Sequence, residues 1–187
     1  MIIESSNLPG CLRITPKIVR DVRGFFIKPF VEVEYRKHNL RTDFAEEFYS
    51  HSFKGVLRGM HFQTPPFECF KLVSCLHGCI RDVLLDLRVG SPRFKTCEII
   101  ELDAENGNIL YLPPGIAHGF LALSESATVS YKVTSAYAPD NDTGIKWDSI
   151  PVDWGIKAPI ISTRDSSFQN LSDYESPFVY NPEETHL

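Results

Sequence analysis

Between Lys54 and Val133 apolar residues come in short runs, or alternate with polar ones, and turn-forming residues divide them: GVLRGMHF, FKLVSCLHG, CIRDVLLDLRVGSP, TCEIIELDAENG, NILYLPPG, HGFLALSES and ATVSYKVTS. Strands of this length at roughly ten-residue spacing predict an all-β sandwich or barrel. Val, Ile, Leu and Phe dominate the runs, and Gly, Pro, Asn and Ser fill the gaps, as strand and turn chemistry require. Helical periodicity is weak throughout. It predicts one short helix at VEVEYRKHNL, preceded by a strand at RGFFIKPF, and a second in the DSSFQNLSD region. Residues 1–50 read as an N-terminal arm of strands and a short helix, 51–135 as the core, and 136–187 as further strands, the second helix and a tail. The closing stretch, SPFVYNPEETHL, is polar and punctuated by proline, which predicts a partly mobile end.

At 187 residues the chain reads as a single domain large enough to bury a full core. A net charge of -5 with no Lys/Arg run excludes a nucleic-acid surface as the leading expectation. The N-terminus MIIESSNLPGCLRI carries an acid where a signal peptide needs positive charge, and no run approaches the roughly 18 apolar residues of a membrane span, so a cytoplasmic protein without membrane contact is expected. Five cysteines, Cys11, Cys69, Cys75, Cys79 and Cys97, lack CxxC spacing and read as free thiols.

In GNILYLPPGIAHGFLA a tight PPG turn is followed three residues later by His118. The segment resembles the second signature of the cupin superfamily, small jelly-roll barrels, and the resemblance implies that His118 points into the barrel mouth. Gly55, His61, Gln63 and Glu68 fall at the spacing of the first cupin signature, with Gln63 where a metal cupin has its second histidine. An amide oxygen is a poor ligand for Zn or Fe, so the expectation is a barrel without metal or cofactor. A metal-dependent oxygenase or isomerase built on His61, Glu68 and His118 is the alternative.

Side chains on a strand alternate between faces, which puts Leu57, Gly59, His61 and Gln63 on one side of GVLRGMHFQ and Arg58 on the other. Arg58 and His61 share the cavity only if Gly59 sits in a bulge, and a bulge is therefore predicted there. In FKLVSCLHG the same alternation groups Lys71 with Val73, Cys75 and His77. Two cations and two histidines around one cavity call for an anionic ligand or a developing negative charge.

GVLRG, HFQ, KLV, DLR, SP, AEN, PPGIAHGF, SYK, YAP and the tryptophan of GIKW occur in that order over about residues 15–168, and together they resemble the dTDP-4-dehydrorhamnose 3,5-epimerase family. The resemblance implies a cofactor-free epimerase of a nucleotide-diphospho-4-keto-6-deoxyhexose, acting at C3, C5 or both, in deoxysugar biosynthesis for a surface polysaccharide or a glycosylated product. It makes His61 the base, Asp165 its orienting acid, Tyr131 the proton donor and Lys71 the group that stabilises the C4 oxyanion. It likewise implies substrate contacts from Arg58, His118, Tyr137, Asp142 and Arg164, and Gln63, Phe26, Lys28 and Glu46 are further candidate substrate contacts in this chain. Arg23, in DVRGFF, matches a diphosphate contact delivered by the other subunit of a homodimer.

These roles have ordinary competitors. Tyr131 also suits a core aromatic and Arg23 a solvated charge, while His51 and His77 read as structural or surface histidines. Asp82 and Asp86 alternate with apolar residues, and either is placed to orient a histidine instead of Asp165. An inert sugar-nucleotide binding module would also have the pocket. The chain departs from the family at Lys28, where an acid is usual, and at Glu46, Glu47 and Phe48, where Gln, Asp or His, and Asn are usual. A lysine donor with a nearby acid suits cytosine better than thymine, so a CDP-linked sugar, even a 3,6-dideoxy one, is a second expectation for the base.

Overall fold

The structure, a computed structural model, describes residues 1–185. Its elements follow in the order β1 (Ile2–Ser5), β2 (Leu12–Thr15), β3 (Ile18–Asp21), β4 (Gly24–Ile27), helix α1 (Glu32–Lys37), β5 (Glu46–Phe53), β6 (Leu57–Gln63), β7 (Lys71–His77), β8 (Cys79–Asp86), β9 (Cys97–Asp103), β10 (Ile109–Leu112), β11 (Ile116–Ala122), β12 (Ser126–Val133), β13 (Asp142–Gly144) and helix α2 (Thr163–Ser166). A six-stranded sheet runs β1-β2-β10-β7-β12-β5 and a five-stranded sheet β13-β6-β11-β8-β9; β3 and β4 form a separate hairpin. All the strand pairs are antiparallel. This is the all-β architecture that the pattern of short apolar runs predicts, in the jelly-roll form that the cupin resemblance implies.

Three apolar clusters explain why the runs look as they do. Val73, Cys75, Leu84, Leu110, Phe120 and Val129 belong to the first, to which both sheets contribute. A second sets Leu57, Met60, Phe62, Val83 and Leu85 of the five-stranded sheet against Trp154, Leu171, Tyr174 and Phe178 from the C-terminal segment. A third packs Leu12, Ile14, Leu72 and Tyr111 beneath Tyr35 of α1. Strands covered on both faces lose their polar alternation. β11 is accordingly buried at all seven positions, and β8 at every position but Cys79 and Arg81.

The C-terminal region differs from its expectation in two ways. Beyond the three-residue β13 it forms only isolated bridges, Val56 to Ile160, Ile145 to Gln169 and Val89 to Val179. The tail is anchored over its first half, because Phe178 is buried and the amides of Val89 and Tyr180 donate to the carbonyls of Phe178 and Val89, both at 2.9 Å. Apolar Phe178 outweighs the flanking prolines; the last two residues of the predicted tail lie outside the described ones. All five cysteines are free. Among the described residues no helix is long and apolar enough to cross a membrane.

Candidate active site

A bulge on β6 sets the first wall of the site. His61 pairs with His118 and Arg58 with Phe120, so three steps along β6 match two along β11 and one extra residue is inserted between them. Gly59 makes this possible: its φ is +127°, and a Cβ there would stand 2.4 Å from the Cα of Gly119. The insertion returns Arg58 to the His61 side, as the alternation required. Both side chains line a cavity of about 440 Å³.

Each surrounding element adds to that cavity. β7 supplies Lys71, β11 His118, β12 Tyr131 and Val133, and β5 Glu46, Phe48 and Ser50; Gln63, Cys69, Ser135, Tyr137, Asp142 and Arg164 line the rest. The Lys71 ammonium donates to the His61 carbonyl at 3.2 Å, which keeps a positive charge beside the imidazole. Arg58 is held by Ser52 Oγ at 2.9 Å. At the rim, Arg164 pairs with Asp142 at 2.6 Å, and its guanidinium covers Phe168, whose ring meets His61 edge-on at 5.8 Å.

Two histidine–carboxylate pairs face this space. Asp165 Oδ1 lies 2.9 Å from His61 Nε2, although off the axis of a hydrogen bond. Its Oδ2 accepts the Gly59 amide at 3.0 Å. Ser162 caps α2 by accepting the Asp165 amide, so a single helical turn carries the carboxylate to the back of His61. Burial pushes the Asp165 carboxyl up, but His61, the Gly59 amide and Ser162 bring it below its ordinary value. The second pair is His118 Nε2 with Asp82 Oδ2 at 2.6 Å, both buried. Burial raises the Asp82 carboxyl against the pull of His118 and Lys71. Both alternatives for the orienting acid are thus occupied, Asp165 on His61 and Asp82 on His118, while Asp86 is bonded to Arg88 and Ser91.

Other sequence-predicted residues stand differently. Gln63 lines the cavity, but its amide donates to the carbonyls of Phe67 and Ala136 and accepts from the Ala138 amide, bracing two loops. Glu46 accepts the Tyr137 amide at 3.0 Å. Tyr137 is itself 61% exposed. Arg23, Phe26 and Lys28 sit on or beside the β3–β4 hairpin, outside this cavity. There Arg23 is 87% exposed and paired with Asp21. Lys28 lies over the Phe26 ring and shares a separate groove with Tyr35.

Glu68 does not join the histidines, as the metal alternative needed; it lines another cavity with Pro65, Arg88 and Phe178. Among the described residues no three His, Cys, Asp or Glu side chains are grouped to hold a metal ion. Phe48, Ser50, Phe62, Cys69, Val133 and Ser135 were missed as lining residues; of these, strand alternation would have found Val133, two residues after Tyr131 on β12.

A jelly roll whose cavity gathers two histidine–carboxylate pairs, a phenol and an ammonium group has the parts of an enzyme that moves protons on a polar substrate. The family model described as dTDP-4-dehydrorhamnose 3,5-epimerase matches residues 5–173. The dTDP-4-dehydrorhamnose 3,5-epimerase of Sinorhizobium fredii is 37% identical over 184 residues, 96% of this chain and 94% of that protein. Among solved structures, a dTDP-6-deoxy-D-glucose-3,5-epimerase from Legionella pneumophila in complex with dTDP-4-keto-L-rhamnose superposes with a TM-score of 0.90 at 33% identity, covering 96% of this chain and 99% of the other. A 3'-monoepimerase from Streptomyces bikiniensis, in complex with dTDP-quinovose, gives 0.84 at 30% identity, covering 89% and 86%. The chain belongs to the dTDP-4-dehydrorhamnose 3,5-epimerase family, and is an isomerase acting on carbohydrates.

Proposed function

We propose that the chain epimerises a nucleotide-diphospho-4-keto-6-deoxyhexose by removing and returning a proton beside the ketone, with no cofactor. The observation that carries this is the His61–Asp165 pair opening onto the same cavity as Lys71 and Tyr131. The C4 ketone acidifies the hydrogens on its neighbouring carbons. His61 takes one as a general base, and the C–H electron pair becomes the enolate, whose charge collects on the C4 oxygen. The Lys71 ammonium, fixed beside His61, stabilises that oxyanion. Tyr131 then gives its phenolic proton to the opposite face of the carbon, leaving a phenolate. Solvent afterwards reprotonates the phenolate and accepts the proton from His61, so the cycle closes without redox change.

Arg58, His118, Asp142, Arg164, Glu46, Gln63 and Tyr137 contact the sugar, diphosphate and base in this reading, and Asp165 orients the base. Arg23, Phe26 and Lys28 act from the partner of a homodimer, since none of them lines the cavity of its own chain and the neighbouring Val22, Phe25 and Phe26 are exposed. The reaction belongs to deoxysugar biosynthesis in the cytoplasm, where nucleotide sugars are made. Its site is C3, C5 or both: the family includes proteins named 3,5-epimerases and its fold is shared by a 3'-monoepimerase.

For the base, the similar proteins are named for dTDP sugars, which favours thymine. A CDP-linked sugar has Glu46 in its favour, a carboxylate on the cavity wall able to accept from an exocyclic amine. Glu47 gives no such support, being bound to Lys132 on the neighbouring strand. Turnover of matched dTDP-, CDP- and GDP-4-keto-6-deoxyglucose tests both levels. Epimerisation of any of them supports the reaction, the preferred nucleotide decides the base, and failure with all three rejects the proposal.

A further inference from the structure

We propose that Asp82 is a positioning residue for proton return: through His118 it helps fix the Tyr131 ring, on which Phe48 also stacks. The inference rests on the reading of Tyr131 as proton donor and assigns what holds that donor in place. The Tyr131 ring meets His118 edge-on, with centroids 5.8 Å apart and planes at 76°. Phe48 stacks on it at 4.9 Å and 18°. A phenol that must reach a carbon acid gains from such a clamp, because small misplacements of a reacting group cost large factors in rate.

The His118–Asp82 pair is also an awkward choice for packing alone. The Asp82 side chain is fully buried, its Oδ2 bonded to His118 at 2.6 Å, while Oδ1 is equally shut from solvent and has no hydrogen-bond partner. Leaving a buried carboxylate oxygen unpaired is unfavourable, and apolar side chains of the same volume fill such a space at least as well. What they do not supply is a directed bond that sets the plane of the His118 ring, and with it the angle at which that ring meets Tyr131. His61 lies outside the clamp. Although it is the register partner of His118, its ring has its own carboxylate in Asp165, which is tied to β6 through Gly59.

Loosening the clamp therefore impairs return by Tyr131 more than removal by His61. A carbanion left waiting takes a solvent-derived proton back from His61, on the face it left. The test uses the intact protein in deuterated water with dTDP-4-keto-6-deoxyglucose and its CDP counterpart, and NMR follows two products: epimer, and substrate recovered with deuterium but unchanged configuration. Asp82→Asn and Phe48→Ala are each expected to cut epimer formation by about 10- to 100-fold with a much smaller loss of deuterium uptake, so the ratio of the two shifts toward uptake. Phe48 is half-exposed on an edge strand, so Phe48→Ala carries the same ratio test if Asp82→Asn does not fold. Equal losses of both products in the folded variants, or no loss, overturn the inference alone. Absence of both products from the wild-type protein removes the reading of Tyr131 as donor and the inference with it.

Discussion

The Tyr131 phenol is pushed above its ordinary value of 10.0, chiefly by burial and then by the Asp82 carboxylate, against smaller opposing effects of Ser50 and Arg58. Its acid form is the one favoured in the folded chain, so the donor stays protonated through neutral and mildly alkaline pH. An ultraviolet pH titration of wild type minus Tyr131→Phe should show the phenolate of this residue only above pH 10.0; a phenolate signal near pH 8 would contradict the burial argument. His61, Lys71, His118 and Tyr131 were legible in the sequence because each sits in a short motif with its own chemistry. Phe48 was legible only as a departure from a pattern, since nothing in its neighbours announces a ring stacked on Tyr131. Asp82 could be seen as an inward acid but not assigned to a histidine, because strand pairing, not spacing, brings β8 beside β11.

The bulge on β6 is the element on which the wall of the site depends. Inserting one residue at Gly59 puts Arg58 and His61 on the same face and presents the Gly59 amide to Asp165. Gly59→Ala meets both a positive φ and the Cα of Gly119, and is expected to destabilise the fold by roughly 2–5 kcal/mol. Denaturant unfolding measures this directly, and a change below about 0.5 kcal/mol, the range of ordinary surface substitutions, would show that the backbone relaxes there without cost. The bulge was legible because two functional side chains of adjoining parity demanded it. β5 was not specifically legible: its inward positions, Glu46, Phe48, Ser50 and Ser52, are mostly polar because they face the cavity or hold Arg58, so the usual apolar alternation is absent. The short helix α1 was anticipated at VEVEYRKHNL, where Tyr35 is its one buried anchor.

At the scale of the whole molecule, the β3–β4 hairpin pairs with neither sheet, and Arg23 in its turn is exposed and does not line the cavity of its own chain. A homodimer in which each hairpin completes the neighbouring site makes a specific prediction. Arg23→Ala and His61→Asn, each weak alone, should regain activity when mixed and allowed to exchange subunits, because the mixed dimer restores one complete site; no recovery despite exchange would place Arg23 in its own chain's site or outside any site. Light scattering should give twice the chain mass of 21.2 kDa. The all-β architecture was legible from strand spacing and its jelly-roll form from the cupin-like motifs, whereas the anchoring of the C-terminal segment over β6 and β8 was not, since its apolar residues are scattered among prolines and turns.

The central claim is that His61 removes a carbon-bound proton beside a ketone, and solvent exchange reads that step directly. Incubated in deuterated water with dTDP-4-keto-6-deoxyglucose or its CDP counterpart, the wild-type protein should place deuterium at C3, at C5 or at both. His61→Asn should lower that incorporation by about 10²- to 10⁴-fold. No incorporation by the wild-type protein, or incorporation undiminished in His61→Asn, would contradict the account.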